Sequence, residues 1–182
     1  TVAFVVCVFA TPSVAAAATC DSLAASLQLT NAKVSAATAV TTGQFTPPAL
    51  PGAEAPKPIT GLPAFCRVQL TLAPSSDSDI KSEVWLPLNG WNGKFQQVGN
   101  GGWGGSIQYA ALEAALQRGY ASASTDTGHT GAEASFAIGH PEKLIDFGYR
   151  AVHETAVQSK AAAAALYGTA PRLSYFNGCS GG

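Results

Sequence analysis

Methionine is absent from the 182 residues, only 12% of them are charged, and the two signs almost cancel to a formal net charge of −1. With no basic surplus and no run of one sign, the chain offers a nucleic acid nothing to hold, and no electrostatic footprint for a membrane surface. Long apolar runs are scarce too. The stretch from Val2 to Ala10 falls well short of the roughly 20 residues that cross a bilayer. Histidine is limited to three residues, and His153-Glu154 is followed by Thr155-Ala156-Val157, so the second histidine of an H-E-x-x-H zinc helix is missing. No metal-ligand cluster is visible, and the chemistry has to be sought in pockets.

Glycine, by contrast, is plentiful, with 19 residues. Gly178-Cys179-Ser180-Gly181-Gly182 is a G-x-S-x-G box, approached through the short apolar run Leu173-Ser174-Tyr175-Phe176-Asn177. That pattern is a strand running into a nucleophile elbow. The serine sits on a sharp strand-to-helix turn, and glycines flank it because a Cβ there would clash with neighbouring backbone. An elbow is expected to be followed by a helix, and a triad of this kind places its acid and histidine after the serine. Both are expected past Gly182, so the chain reads as the front part of a longer enzyme.

Residues 1–18 read as an export signal: an apolar run, a Pro12-Ser13 break, and Ala15-Ala16-Ala17-Ala18 as a small-residue cleavage region. The expected location is secreted or periplasmic, where disulfides form. Cys7 leaves with the signal, and Cys20, Cys66 and Cys179 remain, an odd number. Cys20 and Cys66 are plausible partners, tying an N-terminal arm to the core. Cys179 is then expected either to pair past residue 182 or to stay a free thiol packed as a small apolar group.

The rest divides into an arm, residues 19–60, rich in alanine, threonine and then proline, and a core from residue 61 onward. Val68, Leu70 and Leu72 alternate with polar residues, and Glu83-Val84-Trp85-Leu86 follows a polar turn, which predicts two antiparallel neighbours. A third strand, Lys94 to Val98, feeds a glycine loop. Ser106 is predicted to cap a helix ending at Gly119, and Tyr120 to Thr125 is the next strand. A longer helix is predicted from Pro141 to Gly168, carrying Leu144, Phe147, Ala151, Val152 and Thr155 at helical spacing. Helices between strands, twice over, imply an α/β fold with a parallel portion of sheet.

Gly99-Asn100-Gly101-Gly102-Trp103-Gly104-Gly105 is the second chemical feature. A glycine-rich loop after an early strand supplies one oxyanion-hole N–H in esterases of the α/β-hydrolase type, and the residue after the nucleophile supplies the other. Gly101 and Gly102 are the candidates for the first donor, Gly181 for the second. The same loop also fits G-x-G-x-x-G, with Asp126 closing the next strand, the terms of a dinucleotide-binding oxidoreductase. Trp103 would crowd the pyrophosphate, and that reading leaves the serine box unexplained. Asp126-Thr127-Gly128-His129 stands at the carboxyl edge of a strand. It is either a substrate-side group or an Asx-type turn with the histidine bonded nearby.

Phe65-Cys66-Arg67-Val68, Trp91-Asn92-Gly93-Lys94-Phe95, the Gly99–Gly105 loop, Ser124-Thr125-Asp126-Thr127-Gly128-His129, Asp146-Phe147-Gly148-Tyr149-Arg150-Ala151-Val152-His153, Lys160, Tyr167-Gly168 and Tyr175-Phe176-Asn177-Gly178-Cys179-Ser180-Gly181-Gly182 together resemble the tannase and feruloyl esterase family. The resemblance implies an α/β-hydrolase fold, present here up to the nucleophile elbow. It implies Ser180 as the catalytic nucleophile of a carboxylic ester hydrolase acting on small aromatic-acid esters of the feruloyl or galloyl type. It also implies that Cys179 is joined to a cysteine beside the catalytic histidine, and that a lid domain, often with a structural calcium ion, follows the elbow. No cofactor is expected in this segment. A non-catalytic binding protein that keeps the hydrolase fold is the remaining alternative.

Overall fold

The computed structural model describes residues 17–49 and 54–180. The expected export signal lies almost wholly outside the described residues, and so does the oxyanion candidate Gly181. The strands, in chain order, are β1 Ala32–Val40, β2 Gln44–Phe45, β3 Ile59–Thr60, β4 Phe65–Leu72, β5 Ile80–Pro87, β6 Lys94–Val98, β7 Ala121–Thr125 and β8 Leu173–Asn177. The helices are α1 Leu23–Ser26, α2 Tyr109–Gln117, α3 Pro141–Ile145 and α4 Ala151–Tyr167, with a π-helical turn, Asp146–Arg150, joining α3 to α4 and a 3₁₀ turn at Ala134–Ala137.

Six strands form one sheet in the order β1-β4-β5-β7-β6-β8, while β2 and β3 pair separately. The pairs β1–β4, β4–β5 and β5–β7 are antiparallel, and β6 lies parallel to both β7 and β8. The expected β4–β5 hairpin and the parallel portion are both present. The α2 crossover links β6 to β7. The chain then returns through α3 and α4 to β8 on the far side of β6. Chain order therefore reverses at β6, the kind of point where open α/β sheets build their sites.

Alternation along β5 divides the core between the two faces. Val84 and Leu86 join Val68, Leu70 and Phe95 beneath α4, while Trp85 joins Phe65, Leu112 and Leu116 beneath α2. Helix α4 buries Ala151, Thr155, Ser159, Ala162 and Ala163, a helically spaced stripe of small side chains that lets it lie close on the sheet. The hydroxyls of Ser82 and Thr155 meet there at 2.6 Å. Gly168, with φ 70°, closes α4 in the left-handed conformation that glycine adopts without a steric penalty.

Three expectations change. The arm of residues 19–60 does not merely drape over the core, because residues 32–40 enter the main sheet as the edge strand β1, bulged between Val34 and Ala36. Ser106 does not cap α2. That helix starts at Tyr109, and the N–H of Gln108 is satisfied by Ser124 Oγ at 2.9 Å. The single long helix is two helices around a π turn. The Cys20–Cys66 disulfide is formed, with Cα atoms 5.6 Å apart, and fastens the α1 end of the chain to β4.

Candidate active site

β8 delivers Ser180 to the carboxyl edge of the sheet. Ser180 has φ 60°, one of three non-glycine residues with positive φ among those described. A side chain in that region is strained, and a nucleophile elbow imposes that strain when it turns a serine out of the sheet. The N–H of Gly99 donates to Asn177 O at 3.0 Å, so the glycine loop and the elbow leave adjacent strands already tied together. A Cβ built on Gly101 would lie 4.0 Å from the Cys179 carbonyl oxygen, so the loop passes directly beside the elbow.

Within the loop the glycine N–H groups fall into two sets. Those of Gly99, Gly104 and Gly105 donate to Asn177 O, Gly101 O and Gly131 O. Those of Gly101 and Gly102 donate to no described residue, and both glycines are exposed. Gly102 has φ 58° and open space where a Cβ would stand. Both candidate first donors thus remain unbonded in the loop that passes the elbow, while the amides of Gly99, Gly104 and Gly105 hold that loop in place.

Side chains complete that hold. Asn100, nine-tenths buried, donates through Nδ2 to Gly104 O and to Thr125 O, each at 2.9 Å, while its Oδ1 is buried without a partner. His129 Nε2 lies 2.8 Å from Trp103 O. A carbonyl only accepts, so this nitrogen carries a proton. The imidazole stacks on Phe136 with centroids 3.8 Å apart, and Phe136 and Phe147 both pack against Trp103. A Cβ on Gly105 would come within 2.5 Å of His129 O, so only glycine permits this close approach.

Asp126 forms the Asx-type turn: Oδ1 accepts the N–H of Gly128 at 2.8 Å and of Lys81 at 2.9 Å. Burial pushes its carboxyl up to about 6, against the lowering effect of those two amides. Asp126 lines a cavity of about 670 Å³ bordered by Tyr109, Glu83 and Leu70. A second cavity, about 620 Å³, lies on the elbow side, lined by Gly102, Thr127, Phe147, Tyr149, His153 and Phe176. Cys179 is exposed and free among the described residues. Of the histidines, His129 is engaged with the loop, His140 lies 3.0 Å from Asp77 at the start of α3, and His153 borders the elbow-side cavity.

No group of three or more His, Cys, Asp or Glu side chains suited to a metal occurs among the described residues. The calcium implied by the resemblance is one of the lid domain expected after the elbow. The dinucleotide reading also loses its geometry. Its glycine loop should open a helix whose N-terminus faces the pyrophosphate, yet α2 begins only at Tyr109, past Gly105 and Ser106. Asn100 and the aromatic group around Trp103 escaped the sequence reading. The one sign of Asn100 was its place as the only side chain among the first four residues of a glycine loop.

A mixed sheet reversing at β6, a strained serine at the end of β8 and a glycine loop beside it are the features of an α/β-hydrolase fold up to its nucleophile elbow. Residues 66–182 match the family model described as tannase and feruloyl esterase, and the chain belongs to that family. It is 47% identical over 174 residues to an uncharacterized esterase of Xanthomonas campestris pv. campestris, covering 94% of this chain and 29% of that protein. A probable feruloyl esterase B-1 of Aspergillus oryzae is 37% identical over 169 residues, 91% of this chain and 31% of that one. The crystal structure of feruloyl esterase B from Aspergillus oryzae superposes with a TM-score of 0.78 at 36% identity, covering 88% of this chain and 31% of that one. The chain therefore spans about 30% of the length of the relatives it matches.

Proposed function

We propose that the whole protein is a secreted serine esterase that cleaves small aromatic-acid esters of the feruloyl or galloyl type through an acyl-enzyme on Ser180. The observation that carries this reading is Ser180 itself, at φ 60° on the exit of β8 beside the unbonded Gly101 and Gly102 amides. Ser180 Oγ attacks the ester carbonyl and its proton passes to a general base. The carbonyl oxygen, now negative, is held by a glycine-loop N–H and by the N–H of Gly181, and the alcohol departs. Water then attacks the acyl-serine and releases the acid.

The general base is assigned to a histidine following the elbow, in the chain order of this class. His129 is committed to Trp103 O and is not recruited. The aromatic substrate class rests on the relatives' names, and Phe147, Tyr149 and Phe176 around the elbow-side cavity are compatible with an aromatic acyl group. Export is supported by the apolar N-terminal run and by the Cys20–Cys66 disulfide.

The test is labelling of the whole protein with a fluorophosphonate, with the adduct mapped by peptide mass, alongside hydrolysis of methyl ferulate and methyl gallate. Modification at Ser180 with turnover of either ester supports the reading. A protein that folds but is neither labelled nor active would instead be a binding protein on a hydrolase fold.

A further inference from the structure

Two side chains hold carbonyls of the glycine loop, one of them also tying the loop to β7, and neither belongs to the acyl-transfer machinery. Asn100 clamps the loop's far end, Gly104 O, to the last residue of β7, Thr125 O, with both protons of one amide. His129 holds the carbonyl of Trp103, next to Gly102, and is itself braced by Phe136. Between these anchors lie Gly101 and Gly102, whose own amides are unbonded. Glycine supplies the bare amides but no stiffness, since it samples more backbone conformations than any other residue. An oxyanion hole works only if its donors are already aimed when charge develops.

We infer that Asn100 and His129 are positioning residues of the oxyanion hole, fixing the Gly101–Gly102 amides toward Ser180 through the carbonyls of Trp103, Gly104 and Thr125. The inference rests on the esterase reading, and it assigns to His129 a task other than proton transfer. Neither side chain needs to touch substrate. Each acts by denying the loop the alternative backbone rotations in which the two amides turn away, and an error of about 1 Å in such placement costs roughly a hundredfold in rate.

The experiment compares the whole protein with His129→Phe, His129→Gln and Asn100→Asp. Phenylalanine keeps a ring against Phe136 and removes the donor, whereas glutamine offers a donor without the ring. The expected result for His129→Phe is a fall in kcat of about tenfold to a hundredfold with KM within about twofold. Affinity for an aryl boronic acid, which mimics the tetrahedral state, should fall by the same factor as kcat, while affinity for the product acid stays unchanged. His129→Gln should recover part of both losses. Asn100→Asp, which turns a donor toward two carbonyls into an acceptor, should act in the same direction, with the thermal midpoint recorded alongside.

A purely structural role would lower the midpoint in both His129 variants and leave kcat and boronate affinity of the folded fraction at wild-type values, which overturns the inference. Equal loss in His129→Phe and His129→Gln together with a shifted acidic limb of the pH–rate profile would make His129 a proton-transfer group and overturn it as well. A wild-type protein that Ser180 labelling shows to be inert overturns the esterase reading first and removes this one with it.

Discussion

Glu83 gathers hydrogen bonds from three other side chains. Buried between β5 and α2, its carboxylate accepts from Arg67 Nε at 2.8 Å, from a second Arg67 nitrogen, from Trp85 Nε1 at 3.1 Å and from the Tyr109 hydroxyl at 2.9 Å. Burial, and after it the Glu83 charge, push the Tyr109 phenol above its ordinary range, so Tyr109 stays a donor at every physiological pH. Removing one partner of a sealed pair is far more damaging than its net contribution, because the remaining charge is stranded. Arg67→Ala is therefore expected to destabilise the protein by about 3–5 kcal/mol in urea unfolding. Asp126 sets a different dependence. Its carboxyl stands at about 6 when folded and nearer 3.8 when unfolded, so the folded state binds the proton more tightly. The stability it contributes is complete below the unfolded value and is lost as pH rises from about 4 through 6, by roughly 3 kcal/mol at most. Asp126→Asn should flatten that descent and raise the unfolding free energy at pH 7, as followed by denaturant midpoints across the range.

At the level of elements, the disulfide fastens the amino end of β4, at the sheet edge opposite the elbow, while the π turn borders the elbow-side cavity. Cys20 and Cys66 are separated by 46 residues, and closing a loop of that length removes entropy from the unfolded chain. Cys20→Ala with Cys66→Ala should cost about 2–5 kcal/mol and lower the thermal midpoint of the oxidised protein to that of the reduced one. The π turn was not readable from the sequence, because Leu144, Phe147 and Ala151 keep a helical spacing straight through it. Its cause is three-dimensional: Arg150 Nε bonds Asp146 Oδ1 at 2.6 Å, and Arg150 also reaches the Glu142 carboxylate and the hydroxyls of Ser75 and Ser78. β1 was missed for the opposite reason. Its sequence, Ala-Lys-Val-Ser-Ala-Ala-Thr-Ala-Val, has little contrast between faces, and as a bulged edge strand it buries few large side chains. Strands with strong contrast, such as β4 and β5, were legible. So was the elbow, where a backbone requirement is written directly as glycine, and the Asp126 turn with His129 bonded nearby was one of two readings of its motif; Asn100 was not legible, since its partners are carbonyl oxygens that any residue could provide.

For the whole molecule the decisive feature is β8, the strand that carries the nucleophile and also the outermost strand of the sheet. All five of its residues are exposed, among them Leu173, Tyr175 and Phe176 at 51%, 44% and 51%. One side of β8 is hydrogen-bonded to β6, and its other side pairs with no described strand. An exposed, apolar, unpaired strand is a template for further pairing, and soluble proteins normally cover or charge such edges. Residues 1–182 expressed alone should therefore associate in a concentration-dependent way in sedimentation velocity, and Phe176→Lys should shift that equilibrium toward monomer by placing a charge on the edge. The same isolated chain should show no useful turnover of aromatic esters, because loss of triad partners costs on the order of a millionfold even where the serine and oxyanion donors remain. The two outcomes are linked by chain order: polypeptide following the serine would both cover the open side of β8 and, in this class, carry the acid and histidine. Monodisperse, active residues 1–182 would contradict both expectations together and would point to His153, at the elbow-side cavity, as the general base.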